Sequence, residues 1–199
     1  RDEFLIQDLT YEKNNRYQHC LISFGGSDPS NYTQLVLSLF DDLFHELKIK
    51  VTIILGQGYT HKDSFYAMLD AAKSHQLITV IESTDQIAKL MANADFAFSG
   101  NGRMVFELAQ MRLPAIILSQ NKRELTHDFA QQTEGFCFLG IVDNTSSCEA
   151  LKNVGETLLR SDKKRSQMIA ALKNYDFMVS KQNVYDLILP LLCRPDEIE

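Results

Sequence analysis

The chain has 199 residues, of which 45% are hydrophobic and 23% are charged, a mixture that is typical of one folded domain and argues against disorder. Its 20 Lys and Arg residues against 26 Asp and Glu residues give a net charge of -6, the wrong sign for a protein that binds nucleic acid through the phosphate backbone. No apolar run approaches the roughly 20 residues of a membrane span, and the N-terminus lacks the order of a signal peptide, so we expect a cytoplasmic protein.

Six short apolar runs, rich in β-branched and aromatic residues, predict buried strands. Polar and apolar residues hardly alternate within them, which is the pattern of a parallel sheet covered by helices on both faces. The runs lie at 20–24, 51–55, 78–81, 96–98, 115–118 and, more weakly, 136–139.

Segments with a helical period separate these runs. Between residues 31 and 47, the side chains of Val36, Phe40, Leu43, Phe44 and Leu47 fall on one helical face, which should pack on the sheet. Similar helices are predicted at 62–74, 85–93, 104–111 and 125–132. The alternation of strand and helix predicts an α/β fold, a Rossmann-like three-layer doubly wound parallel sheet.

The pattern changes after about residue 145, where only helices are predicted. They lie at 148–159, 163–174 and 183–192, and Val184, Leu187, Ile188 and Leu191 make the last one amphipathic. We therefore divide the chain into a polar lead-in at 1–19, a Rossmann-like domain at 20–145, and C-terminal helices at 146–199 that pack on the same domain.

No residue pattern in the chain predicts a metal or a cofactor. The four cysteines are scattered without a CxxC pair, which favours reduced thiols in the cytoplasm over a disulfide framework. The five histidines show no metal-ligand spacing. These residues are Cys20, Cys137, Cys148 and Cys193, and His19, His45, His61, His75 and His127.

The loop after the first strand is a candidate binding site, because ligands of open α/β sheets lie beyond the carboxyl ends of the strands. Gly25 and Gly26 permit a tight turn and a close approach of a ligand to the backbone. Ser27 or Asp28 can cap the following helix, and Pro29 suits its first turn. The loop is either a simple strand-to-helix turn or a phosphate or sugar loop, and this pattern leaves both open.

The loop after the fourth strand contains Asn101, Gly102 and Arg103 and opens a helix. Backbone N–H groups at that helix start, together with Arg103, could hold a diphosphate. Glu107 lies about one turn further on, where it could accept hydrogen bonds from a ribose diol. Ordinary surface roles for Arg103 and Glu107 remain the alternative.

Two further clusters have simpler interpretations. The turn at 56–58, with two glycines, is predicted to be structural, and lining a ligand cleft is the alternative. The basic cluster of Arg160, Lys163, Lys164 and Arg165 is predicted to form a solvated helix face.

Three segments together resemble the C-terminal half of nucleotide-sugar enzymes of the GT-B fold. They are 22–29, 85–95 and 99–114, the last of which contains Gly102, Glu107, Leu113 and Pro114. Within these enzymes the chain is similar to the UDP-2,4-diacetamido-2,4,6-trideoxy-altropyranose hydrolases of pseudaminic acid synthesis and to spore-coat polysaccharide biosynthesis proteins. It resembles more distantly the N-acetylglucosaminyltransferase that makes lipid II. The resemblance covers roughly residues 1–140.

The resemblance implies a UDP-sugar ligand and a role for each matching residue. Glu107 would bind the uridine ribose, and Gly102 and Arg103, next to Asn101, would lie at the diphosphate. The other implied contacts are Gly25, Gly26 and Ser27 at the sugar or phosphates, Thr84 near the base, and Asn121 facing the sugar.

The resemblance also implies that a partner domain is missing from this chain. The hydrolases carry their catalytic histidine in an N-terminal domain, and residues 1–5, which begin with Arg rather than Met, resemble the segment between the two domains. We therefore expect a fragment that binds a nucleotide sugar without turning it over. A GT-B glycosyltransferase and a non-catalytic Rossmann-like module are the alternatives to a hydrolase.

The site departs from the family pattern at two places. Asn121 is followed by Lys122 where the family has Asn-Gln, and 101–104 read Asn-Gly-Arg-Met where relatives have Gly-Gly followed by small hydroxyl residues. The donor sugar and its nucleotide stay open for this reason.

Overall fold

A computed structural model describes residues 18–192 of the chain. The predicted lead-in, apart from its last two residues, and the interdomain-like segment at 1–5 lie outside the described residues, and so does Cys193. The other three cysteines are free thiols.

A six-stranded parallel sheet forms the centre of the fold. All six predicted strands are present, because each is an apolar run of strand length between turn residues. Their bounds are β1 His19–Ser23, β2 Lys50–Leu55, β3 Ile78–Glu82, β4 Phe96–Gly100, β5 Ala115–Leu118 and β6 Phe136–Gly140.

The strand order in the sheet is β3-β2-β1-β4-β5-β6. The chain therefore builds outward from β1 in one direction and from β4 in the other, and the two strands lie side by side. Ser23 pairs with Ser99 in the register, so the loops that follow β1 and β4 leave the sheet at the same edge. A crevice at such a reversal is where open α/β sheets bind ligands.

Eight α-helices accompany the sheet in the described part of the chain. Their bounds are α1 Tyr32–Leu47, α2 Lys62–Ala71, α3 Ile87–Asn93, α4 Met104–Gln110, α5 Phe129–Gln132, α6 Thr145–Leu159, α7 Asp162–Leu172 and α8 Phe177–Leu192. Short 3₁₀ turns lie at His75–Leu77 and Glu124–Thr126.

The helices cover both faces of the sheet, which confirms the predicted three-layer α/β fold. On one face, α1, α2 and α6 bury an apolar cluster that includes Phe40, Phe44 and Leu151. On the other face, α3, α4 and α5 bury a second cluster that includes Met91 and Leu108. Strand residues contribute to both clusters in alternation, as expected of a sheet buried on two sides.

Two predicted helices differ from the structure in ways that have a visible cause. The segment 125–132 is not one helix, because the side-chain amide of Asn101 donates to the carbonyls of Glu124 and His127, at 2.7 and 2.9 Å, and so holds this stretch as a turn before α5. The helix predicted at 62–74 ends at Ala71, where the carboxylate of Asp41 accepts from the backbone N–H groups of residues 73 and 74.

Arg165 corrects the expected solvated basic face on α7. Arg160, Lys163 and Lys164 are exposed, but Arg165 is only 2% exposed and its guanidinium pairs with Asp95 at 3.1 Å. The expectation rests on charge alone, which does not show that position 165 lies on the buried side of α7 with Met168 and Leu172.

α8 differs from the other C-terminal helices in its exposure. Leu151, Leu158 and Met168 from α6 and α7 enter the core. By contrast, Leu187 of α8 is 71% exposed, and Val184 and Ile188 of the predicted amphipathic face are about half exposed. No helix within residues 18–192 combines the length and apolar character that crossing a membrane requires.

Candidate functional site

A cavity of about 660 Å³ opens at the carboxyl edge of the sheet, where β1 and β4 lie side by side. The loops after β1, β2, β3, β4 and β5 all contribute to its wall. Eight of the nine predicted site residues line it, although they are spread along the chain. These eight are Gly25, Gly26, Ser27, Thr84, Gly102, Arg103, Glu107 and Asn121.

The loop after β1 forms one wall of the cavity and exposes its glycines. Gly25 has a φ of +83°, which lies in the left-handed region that glycine adopts without a steric cost. Nothing lies within 4 Å of the position that a Cβ on Gly26 would take. A ligand can therefore approach this backbone without meeting a side chain.

Neighbouring loops hold this glycine loop from both sides. The backbone N–H of Gly58 donates to the carbonyl of Gly26 at 2.8 Å, and the side-chain amide of Gln120 donates to the carbonyl of Phe24 at 2.6 Å. Gly56 packs so closely that a Cβ there would overlap the carbonyls of Gly25 and Gly26. The turn at 56–58 is thus structural and also lines the cavity.

Asp28 caps α1 from beneath the glycine loop. Its carboxylate accepts from the backbone N–H groups of Tyr32 and Thr33, at 2.9 and 2.8 Å, so the predicted cap belongs to Asp28 rather than to Ser27. Burial raises the pKa of Asp28, and these hydrogen bonds oppose the rise. Pro29 precedes the helix instead of lying in its first turn, because α1 begins at Tyr32.

The loop after β4 carries Gly102, Arg103 and, one turn into α4, Glu107. Arg103 is exposed, and Glu107 is half-buried where it lines the cavity, which differs from an ordinary solvated helix residue. The side chain of Asn101 is fully buried and bonded to the turn at 124–127, and Asn101 does not line the cavity. It positions a neighbouring loop.

The loop after β3 closes the cavity on the side opposite β5. Ser83 has a φ of +60°, and its hydroxyl accepts from the side-chain amide of Gln57 at 3.1 Å. The Thr84 hydroxyl accepts from the backbone N–H of Gln86 ahead of α3, which leaves its own proton free to donate.

The loop after β5 contributes two residues that the sequence interpretation missed, Gln120 and Glu124. The backbone N–H of Gln120 donates to the Glu124 carboxylate at 2.9 Å, and the Asn121 side-chain oxygen accepts from the Glu124 backbone N–H at 3.1 Å. The sequence signal for this loop is the pair Gln120-Asn121 directly after a strand. The turn that brings Glu124 to the cavity is held by a hydrogen bond from Asn101, which lies 23 residues earlier and cannot be inferred from that pair.

The charged groups on the cavity wall are few. Among the described residues that line it, Arg103 is the cation, and Glu107 and Glu124 are the anions. An anionic group of a ligand is therefore favoured near Arg103, and groups that donate hydrogen bonds are favoured near the two carboxylates.

Relatives of known sequence match part of this chain, whereas no family model matches it. An uncharacterised protein of Methanocaldococcus jannaschii is 29% identical over 126 residues, which cover 62% of this chain and 26% of that protein. The spore coat polysaccharide biosynthesis protein SpsG of Bacillus subtilis is 26% identical over 114 residues, which cover 57% of this chain and 32% of that protein. A third relative, from Prochlorococcus marinus, is 26% identical over 132 residues, which cover 63% of this chain and 37% of that protein. Its name is UDP-N-acetylglucosamine–N-acetylmuramyl-(pentapeptide) pyrophosphoryl-undecaprenol N-acetylglucosamine transferase.

Solved structures share the architecture. MurG of Acinetobacter baumannii superposes with a TM-score of 0.67 at 18% identity, over 95% of this chain and 52% of that one. MnaA of S. aureus, solved with UDP, superposes with a TM-score of 0.65 at 14% identity, over 97% of this chain and 53% of that one. The chain has a GT-B glycosyltransferase-like fold.

The GT-B match is partial in length. The chain spans 26% to 37% of the three relatives and about half of each of the two solved structures. The names of these relatives include a transferase and a polysaccharide biosynthesis protein. The hydrolase activity that the sequence resemblance implies stays a prediction.

Proposed function

We propose that this chain binds a UDP-sugar in the cavity at the β1/β4 edge, as the donor-binding half of a glycosyltransferase. The observation that supports it most strongly is that four loops, those after β1, β3, β4 and β5, bring eight of the nine predicted residues, Arg103 and Glu107 among them, to one cavity.

The polarity of the wall suggests how UDP would lie. Arg103 offers a cation to the diphosphate, and the exposed backbone of Gly25 and Gly26 offers an approach without steric hindrance. Glu107 offers carboxylate oxygens to the ribose hydroxyls. The loop at Ser83 and Thr84, across the β1/β4 edge from Gln120, would face the base.

The proposed reaction is glycosyl transfer rather than hydrolysis. One matching relative is named a transferase of N-acetylglucosamine, and MnaA was solved with UDP. Because the chain spans about half of the solved structures, we propose that a second, N-terminal half supplies the acceptor site and the catalytic groups.

Calorimetric titration of UDP into the chain tests the binding site. We expect Glu107→Ala to weaken UDP binding about ten- to a hundredfold, because it removes hydrogen bonds between a charged acceptor and the ribose. Glu149→Ala, an exposed acidic residue of α6, is the matched control and should bind UDP as the wild type does.

Equal affinity of wild type and Glu107→Ala would contradict the ribose assignment. If no nucleotide bound at all, a Rossmann-like module whose glycine loops are only turns would be the better interpretation. With the longer protein in hand, release of free sugar from a UDP-sugar without acceptor would favour the hydrolase over the transferase.

A further inference from the structure

The thioether of Met104 lies at the edge of the sheet where the ends of β1 and β4 meet. Met104 is the first residue of α4, and its side chain is partly exposed and lines the cavity. The hydroxyls of Ser23 in β1 and Ser99 in β4 donate to its sulfur at 3.7 and 3.8 Å. Because Ser23 pairs with Ser99 in the sheet register, two hydroxyls from neighbouring strands contact one sulfur atom.

A thioether is a poor partner for two buried hydroxyls. Ser23 and Ser99 are 3% and 1% exposed, so both are shielded from water. The sulfur of Met is only a weak hydrogen-bond acceptor, and a buried donor without a strong acceptor destabilises the folded state. An oxygen atom bonded to this sulfur would supply a strong acceptor.

Exposure distinguishes Met104 from the other methionines whose side chains the structure describes. Met91, Met111 and Met168 are at most 1% exposed and lie in the core. Met68 packs partly buried against the apolar cluster that includes Phe40, and it does not line the cavity. Met104 packs partly on the second cluster but also lines the cavity, through which a small oxidant can reach it.

The sulfur of Met104 also lies close to the loops that would hold a diphosphate. Ser23 precedes Gly25 by two residues and Ser99 precedes Arg103 by four, so the sulfur that contacts both serines lies between these two loops. Oxidation converts the apolar thioether into a polar sulfoxide, whose oxygen carries a partial negative charge. That oxygen would repel the oxygens of a phosphate placed between the two loops.

We propose that Met104 is an oxidation site through which peroxide lowers the affinity of the cavity for nucleotides. Hydrogen peroxide transfers one oxygen atom to the sulfur: an S–O bond forms, the O–O bond breaks, and the second oxygen leaves as water with both peroxide protons. The sulfur loses two electrons and the peroxide gains them. The effect on affinity rests on the proposed UDP-sugar site, whereas the oxidation itself does not.

Peptide mass spectrometry of the folded chain after a brief peroxide treatment tests the oxidation. Sulfoxide should form several-fold faster at Met104 than at Met91, Met111 or Met168, because the core shields these three from the oxidant. UDP added beforehand should slow the oxidation of Met104, since it would occupy the cavity, and should leave the oxidation of Met68 unchanged. Dithiothreitol added afterwards reverses disulfide and sulfenic acid formation at cysteines and leaves methionine sulfoxide in place.

Calorimetric titration of UDP before and after the treatment tests the consequence. Oxidised wild type should bind UDP about tenfold more weakly than untreated wild type. Methionine sulfoxide reductases for both epimers should restore the affinity. Met104→Leu keeps an apolar side chain of similar volume but cannot take up oxygen, so its affinity should be the same before and after peroxide. Met68→Leu is the matched control and should lose affinity on treatment as the wild type does.

Circular dichroism of the oxidised protein separates a local effect from a loss of the fold. Unfolding on oxidation, an unchanged UDP affinity after Met104 is oxidised, or an equal loss of affinity in Met104→Leu would each overturn the inference. Oxidation of Met104 no faster than that of the buried methionines would overturn it as well. An untreated wild type that binds no UDP would instead overturn the proposed function, and mass spectrometry would still show whether Met104 is the residue oxidised.

Discussion

At the scale of single residues, Gly56 controls how closely the loops after β1 and β2 approach each other. We expect Gly56→Ala to lower the free energy of unfolding by about 1–3 kcal/mol, because the added Cβ overlaps the carbonyls of Gly25 and Gly26 and displaces that loop. Urea denaturation measures the change.

Gly26→Ala is the matched control for Gly56→Ala. Its added methyl group meets open space and its φ is not positive, so its stability should stay within about 0.5 kcal/mol of wild type. Equal losses in the two variants would show that the close packing at Gly56 is unimportant.

The sequence and the family resemblance predicted eight residues that line the cavity, but the predicted residue Asn101 does not line it, and Gln120 and Glu124, which do, were not predicted. A glycine pair after a strand or an acidic residue one turn into a helix has a local meaning that can be read along the chain. Asn101 bonds to carbonyls 23 and 26 residues away, and this pairing both removes it from the cavity and turns Glu124 inward. Local pattern carries no information about such a contact.

At the scale of elements, Asp41 of α1 determines where α2 stops. Its carboxylate accepts from the backbone N–H groups of Lys73 and Ser74 and from the Ser74 hydroxyl. Burial raises the pKa of Asp41, but the hydrogen bonds from Ser74 and Lys73 outweigh it, so the net pKa lies below its usual value.

This shift predicts a pH-dependent contribution of Asp41 to stability. Because the folded pKa is lowered, the stabilisation is present above the ordinary Asp pKa of about 3.9 and is lost as the pH falls through the lowered value. The difference in unfolding free energy between wild type and Asp41→Asn should thus be constant from about pH 5 to 7 and should shrink below about pH 4.

Urea denaturation at successive pH values measures the difference in unfolding free energy between wild type and Asp41→Asn. Asp70→Asn, at an exposed position of α2, is the control for the loss of one negative charge. A difference that grows on acidification would contradict the lowered pKa of the Asp41 carboxyl in the folded protein.

At the scale of the whole molecule, Arg165 joins the C-terminal helices to the sheet. Its guanidinium on α7 pairs with Asp95, which precedes β4, and the other carboxylate oxygen of Asp95 accepts from the N–H groups of Gln18 and His19 at β1. One partly buried carboxylate thus connects α7, β4 and β1 at the edge of the sheet opposite the cavity.

We expect Arg165→Met to lower the free energy of unfolding by about 3–5 kcal/mol, because it breaks a buried ion pair and leaves the Asp95 carboxylate without its cation. Arg160→Met is the matched control. Arg160 pairs with Glu46 at 2.8 Å, but both side chains are about half exposed, and solvent screens such pairs. Equal destabilisation in urea denaturation would contradict the role given to burial.

The sequence by itself determined the α/β class and the six strands, and with the family resemblance it predicted eight of the residues that line the cavity. Parallel strands that are covered on both faces appear as continuous apolar runs, and helices appear as apolar residues repeated at the helical period. Glycines after strands mark loops. All three signals are local in the sequence. The tertiary structure alone decided which loops converge, that Arg165 is buried, and that Glu124 faces the cavity. These features depend on contacts between residues roughly 20 to 100 positions apart, and such contacts form only when the strands are ordered in the sheet.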